Sequence, residues 1–319
     1  MNITHFLSFR TWLAAAGALA LMLCAAVGLV LWAGWQEVAD AVARIDAPTL
    51  VAVLSTSLAC YAIRFLRWHG FTLALGHRVP WIANLGIFVA GLGLTWTPGK
   101  SGELLRGVFL ARYHVPFARS ILLFYWDRLS DLAGMLFLAL SATLMLTSGH
   151  LALIPAAFAV VIALWLLRPG GASFSRAVEF ARRRFPERHH HWLDSLAMLS
   201  EADARFTSGL AAAGALAGAC AYAMQALGLL IIARSSGIEL GFTQALLVMS
   251  VSTLAGAAVL LPAGAGVVET TSVGLLVAQG LSFPDAVAIG LVHRATTFWF
   301  AIALGAGALA SLLVRHKNV

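Results

Sequence analysis

Six ionisable side chains stand in or beside apolar runs of this sequence: Glu103, Asp127, Arg128, Asp131, Glu269 and Arg294. A charge inside hydrocarbon is costly unless it is paired, reaches the interface or meets water, and such residues are functional by default. Asp127 and Asp131 are spaced i, i+4, so they share one face of a helix, with Arg128 beside them. Two chemistries are available to such a set. The acids and arginines pair with each other and fasten the helices together, or they line a hydrated cavity and handle an anion or a proton. The sequence leaves both open. The simplest pairing joins Glu103 to Arg128 and Glu269 to Arg294, because each arginine follows its glutamate by the same interval of twenty-five residues (103 to 128, 269 to 294).

The first glutamate ends the stretch T-P-G-K-S-G-E at 97–103. Gly-Lys-Ser suggests a phosphate loop, but no glycine stands where the first glycine of G-x-x-x-x-G-K-[ST] must be. Pro98, Gly99 and Gly102 instead make a turn, and a helix is expected from Glu103. A helix N-terminus offers free N–H groups and a favourable dipole to an anion. Lys100 on the turn and Arg106 one turn further add positive charge, so this tip reads as a phosphate seat. The second glutamate follows a similar stretch, L-P-A-G-A-G-V-V-E, with Pro262, Gly264 and Gly266 and no lysine. There the glycines serve equally well to let two tips pack closely.

The elements that position these residues are membrane helices. The chain has 319 residues, 61% hydrophobic and 11% charged, with a mean hydropathy of +0.88. A soluble domain has about 25% charged residues. The net charge of +7 reads as cytoplasmic-side bias, not nucleic-acid binding. The N-terminal run lacks a signal-peptidase exit and reads as an uncleaved helix. Cys24, Cys60 and Cys220 lack metal or disulfide spacing, and small core residues are the expected role. No nucleophile–base pair, nucleotide fingerprint, cofactor site or metal site is evident. Asp127 and Asp131 are too sparse for a Mg²⁺–diphosphate motif. His189, His190 and His191 read as part of a solvated basic loop.

Apolar runs at about 11–33, 48–66, 118–147, 151–167, 209–233 and 285–314 are long enough to be spans. Arg64, Arg67, His69 and Arg78, then Arg112 and Arg119, the basic loop 168–208 and the C-terminal R-H-K-N-V all fall on one side. The positive-inside rule makes that side cytoplasmic, with both termini there. In the loop, F-S-R-A-V-E-F-A-R-R-R-F-P-E-R has the period of a basic amphipathic helix lying on headgroups. Two further apolar regions, 81–111 and 242–280, are interrupted by the Pro–Gly stretches. From Glu103 to Ala111 a helix rises about 13–14 Å, half of a roughly 30 Å hydrocarbon core. The first region is therefore expected to be a re-entrant hairpin; for the second, a hairpin and two full spans both stay open.

The expected fold is a single all-α membrane domain, 1–319, of six spanning helices and two re-entrant hairpins. Its repeats, 48–147 and 209–314, enter the membrane with opposite sense, an inverted-topology repeat as in many transporters. Residues at T-P-G-K-S-G-E-L-L-R-G, W-D-R-L-S-D-L, L-P-A-G-A-G-V-V-E and H-R-A-T-T-F-W resemble, in order and spacing, those of a flippase-like family. That family is named for the transmembrane region of lysyl-phosphatidylglycerol synthase, and the resemblance covers nearly the whole chain. The resemblance implies ATP-independent lipid translocation, with aminoacylated phosphatidylglycerol and polyprenyl-linked carriers among the lipids implicated. It carries motif roles to Pro98, Gly99, Gly102, Glu103, Arg106, Asp127, Arg128, Asp131, Pro262, Gly264, Gly266, Glu269 and Arg294. It also implies no synthase activity, since the sequence ends five residues after the last expected span. The expected partners are a phospholipid or polyprenyl phosphate and a coupling ion such as a proton, in the inner membrane. A small-anion carrier, a lipid-phosphate transferase and a non-transporting scaffold are the competing readings.

Overall fold

The computed structural model describes residues 26–95, 97–148, 207–259, 264 and 266–317, with isolated positions between 17 and 24 and between 176 and 184. The described residues are helical with turns between. A helical stretch over 26–33 leads into α1 (Trp35–Ala43), followed by α2 (Ala47–Ala74) and α3 (Trp81–Leu92). A 3-10 segment, Pro98–Leu105, leads into α4 (Arg106–Leu110), and α5 is Phe117–Ser148. After the undescribed stretch come α6 (Ser208–Ser235), α7 (Phe242–Ala258), α8 (Val267–Ala278) and α9 (Phe283–Arg294). One π turn, Ala295–Trp299, joins α9 to α10 (Phe300–Lys317).

Four described helices are long and apolar enough to cross a membrane: Ala47–Ala74, Phe117–Thr147, Ser208–Ser235 and Phe283–Val314. Their starts follow local capping rules. Asp46 accepts the Thr49 N–H at 3.0 Å, Thr207 that of Leu210 at 3.3 Å, and Ser282 that of Asp285 at 3.3 Å, each satisfying an otherwise orphan donor. The expected span at 151–167 lies outside the described residues, as do much of 11–33 and most of the basic loop. In that loop Glu179, Phe180 and Arg182–Arg184 are helical and exposed.

Two expectations need correction. The helix read as 48–66 continues to Ala74, because Trp68, Phe71 and Leu73 keep the apolar run going until Gly76 turns the chain with a φ of 86°. The arm expected to be α-helical from Glu103 begins instead as 3-10 at Pro98 and has only five α-helical residues from Arg106. In the second region, α7 has 17 residues and α8 has 12. They rise roughly 25 and 18 Å, each short of a full crossing.

Packing among the long helices relies on small residues. α6 packs along both α2 and α5, and α7 packs on α5 while α3 packs on α10. At Gly134 an added Cβ would come 2.3 Å from the Ala219 nitrogen on α6, and at Gly305 one would come 1.9 Å from the Gly93 nitrogen. Backbones that approach this closely tolerate only glycine, and dispersion over such faces replaces the hydrophobic drive that lipid cannot supply. Cys60 is buried, whereas Cys24 and Cys220 are exposed, so the expected core role holds for Cys60 alone.

Candidate functional site

α5 places Asp127, Arg128 and Asp131 on the face that meets α2 and the 3-10 segment. Asp127 and Asp131 are buried, at 0% and 2% exposure. Their main partners are residues that the sequence suggested were cytoplasmic loop charges: Arg64 and Arg67, which lie inside α2 and are themselves buried. Arg64 donates to Asp131 at 3.0 Å. Arg67 bridges the two acids, at 2.5 Å from Asp127 and 2.6 Å from Asp131. The i, i+3 spacing of the arginines matches the i, i+4 spacing of the acids, so two helices lock through one forked contact. A signal for this was present: W-H-G-F-T-L-A-L continues the apolar run past Arg67, which puts both arginines inside the helix.

Arg128 turns the other way. It lies 2.6 Å from Asp127, 3.4 Å from Glu103 and 3.3 Å from Asp131, with 17% of its side chain accessible. Glu103 is buried and also pairs with Arg106 at 3.1 Å. Arg106 departs from its expected role. It is 1% exposed, with its guanidinium 5.0 Å from the Trp68 ring and 4.5 Å from that of Phe88. Its charge is met by Glu103 and two aromatic faces, so it anchors the 3-10 segment between α2 and α3 and does not face open space. Lys100 lies on that segment, and its side chain is outside the described part of the molecule.

In the second half, Gly266 adopts a φ of 77° and starts α8. Glu269 follows in its first turn, where the helix dipole favours a carboxylate. It forms an ion pair with Arg294, Oε1 to Nε 2.8 Å. Arg294 closes α9 and stacks 4.2 Å from the Phe298 ring, directly before the π turn. Such single π turns are frequent at functional sites. The Tyr61 hydroxyl on α2 donates to the Thr297 carbonyl within it, and His293 Nε2 donates to the Gln225 carbonyl on α6 at 2.9 Å. Sequence reasoning missed Tyr61, Gln225 and His293, because an uncharged polar residue in a long helix has no distinctive spacing.

Between the two halves lies a cavity of about 340 Å³. Arg64, Arg128 and Asp131 from the first half of the chain border it, as do Glu269, His293 and Arg294 from the second. Glu103 and Asp127 pair with Arg128, and Arg106 pairs with Glu103, from outside that lining. Tyr61 from α2 and Tyr222 from α6 also line it. Much of the remaining wall is apolar, and Leu132, which is 42% exposed, forms part of it.

A multi-pass helical membrane protein with paired charges around an internal chamber is the class defined by this fold and site. The chain belongs to the family described as the lysylphosphatidylglycerol synthase transmembrane region, whose model matches residues 12–305. It is also similar to a UPF0104 membrane protein of Methanothermobacter thermautotrophicus, 25% identical over 309 residues, covering 90% of each chain.

Proposed function

We propose that the protein translocates an anionic, phosphate-containing lipid between membrane leaflets without ATP. The observation that carries this reading is that Arg128 and Arg294, from different halves of the chain, line one chamber whose remaining wall is largely apolar. A headgroup enters between the two guanidiniums while its acyl chains remain in lipid. Burial strengthens each charge-assisted hydrogen bond to the phosphate.

An inverted repeat is part of the proposal. Its support is a reciprocal exchange of packing partners: α2 lies along α6, α3 packs on α10, and α7 packs on α5. A two-fold operation exchanging 48–147 with 209–314 turns the α3–α10 contact into the α7–α5 contact. In this reading 81–111 and 242–280 are re-entrant hairpins, six helices span an inner membrane, and both termini and the 168–208 loop face the cytoplasm. Rocking one repeat against the other opens the chamber to alternate leaflets. Glu103 and Glu269 hold the arginines in place or exchange a coupling proton.

Purified protein in phosphatidylcholine vesicles carrying trace acyl-labelled phospholipid tests this. Rapid loss of the protected inner-leaflet pool to an impermeant quencher supports translocation. A rate no faster than in empty vesicles overturns it. Chemical conversion of the lipid selects a transferase, and uptake of a soluble anion alone selects a small-anion carrier.

A further inference from the structure

The charges around the chamber do not balance. Among the described residues, its wall carries three arginines, Arg64, Arg128 and Arg294, against two carboxylates, Asp131 and Glu269. The layer behind it is neutral: Arg67 and Arg106 face Glu103 and Asp127. Among the described residues, five guanidiniums and four carboxylates leave one positive charge around the chamber. Burying net charge is unfavourable, and a ligand that brings the opposite charge removes that penalty.

We infer that the chamber selects a lipid whose headgroup carries a single net negative charge, a phosphodiester with an uncharged alcohol substituent. This rests on the lipid-translocation reading above and narrows its substrate. A diester phosphate brings one charge and brings the chamber to neutrality. A phosphate monoester brings a charge of about −1.5 to −2 near neutral pH and overshoots. A zwitterionic headgroup leaves the excess in place, and a lysylated headgroup, whose two ammonium groups outweigh its one phosphate charge, raises it. Two features suit a diester. Arg128 and Arg294 both line the chamber, so two guanidiniums are available for its two non-bridging oxygens. Tyr61, Tyr222 and Ser252 border the same space, and the Tyr61 and Ser252 oxygens, whose protons go to the Thr297 and Met249 carbonyls, can accept from a neutral alcohol.

The experiment compares acyl-labelled phosphatidylglycerol, phosphatidic acid, phosphatidylethanolamine and lysyl-phosphatidylglycerol in phosphatidylcholine vesicles containing the full-length protein. The expected result is movement of phosphatidylglycerol about tenfold faster than any of the other three, since like-charge placement is strongly penalised. The selectivity should also follow the wall charge. Arg294→Gln cancels the excess and should shift the rate ratio toward phosphatidylethanolamine. Glu269→Gln doubles it and should shift the ratio toward phosphatidic acid. Because each readout is a ratio within one preparation, partial loss of folded protein cancels. Equal rates for all four lipids, or ratios unmoved by either substitution, overturn the charge inference while translocation stands. No movement of any lipid overturns both. Uptake of glycerophosphoglycerol without movement of phosphatidylglycerol assigns the diester site to a soluble source and overturns the lipid assignment.

Discussion

The guanidinium of Arg294 lies 2.8 Å from the carboxylate of Glu269, and this contact joins the first turn of α8 to the last turn of α9. Arg128 stands 3.4 Å from Glu103 across the same sequence interval in the other half. In each pair the glutamate is the deeper member and the arginine keeps 17% of its side chain accessible. In the proposed mechanism the glutamates hold the arginines in place, and Arg128 and Arg294, which both line the chamber, meet the headgroup. Replacing Arg294 with Ala is therefore expected to slow phospholipid translocation at least about tenfold, the scale of one charge-assisted contact at about 1.5–3 kcal/mol. Arg294→Lys should retain part of the rate, because it keeps the charge and loses the planar fork. Vesicle translocation rates at matched protein content check both.

The α2–α5 contact carries stability. Asp127 is fully buried and meets Arg67 and Arg128, so Asp127→Asn leaves the buried Arg67 and the partly buried Arg128 each one counter-charge short. Breaking a buried pair in this way costs about 3–5 kcal/mol. Glu179→Gln removes an exposed pair with Arg183 at 3.4 Å, a type that contributes at most about 1 kcal/mol. Thermal unfolding in detergent should show a large loss for the first variant and almost none for the second.

Close backbone contact between α10 and the end of α3 gives a steric test. A Cβ at Gly305 would fall 1.9 Å from the Gly93 nitrogen, whereas one at Gly307 would meet nothing within 4 Å. Gly305→Val is expected to destabilise by about 1–3 kcal/mol or more through overpacking, and Gly307→Val should be neutral. Yield of monodisperse protein after heating reports the difference.

The acidic half of the site was legible in the sequence, and its arginine half was only partly so. Asp127, Asp131, Glu103 and Glu269 declare themselves because a carboxylate in an apolar run has few alternatives to an internal partner. Arg64 and Arg67 were hidden because an arginine at the end of an apolar run has a second explanation, as a topology signal on the cytoplasmic side. Only the true end of α2, at Ala74, distinguishes the two. Arg106 was read as a headgroup contact because its spacing from Glu103 is legible, while the Trp68 and Phe88 rings that enclose it come from other helices. The four long spans are direct consequences of hydropathy. The 3-10 backbone of Pro98–Leu105 is not, since a Pro–Gly stretch signals a turn without specifying the helix type of the residues after it.

The proposed hairpin at 81–111 makes a topological prediction. Single cysteines at positions 98–102, placed in a version lacking Cys24, Cys60 and Cys220, should react with an impermeant thiol reagent from the cytoplasmic side. Reaction from the periplasmic side alone would mean that this region crosses the membrane twice.

Arg128 joins the α2–α5 charge network to the chamber, and the proposed transport depends on it most. The direct test is the transbilayer rate of acyl-labelled phosphatidylglycerol in vesicles containing either the wild-type chain or Arg128→Ala, with folding confirmed by size exclusion. The predicted result is rapid exchange with the wild-type protein and a rate close to that of empty vesicles with the variant. An undiminished rate in the folded variant, or no exchange with the folded wild-type protein, would contradict it.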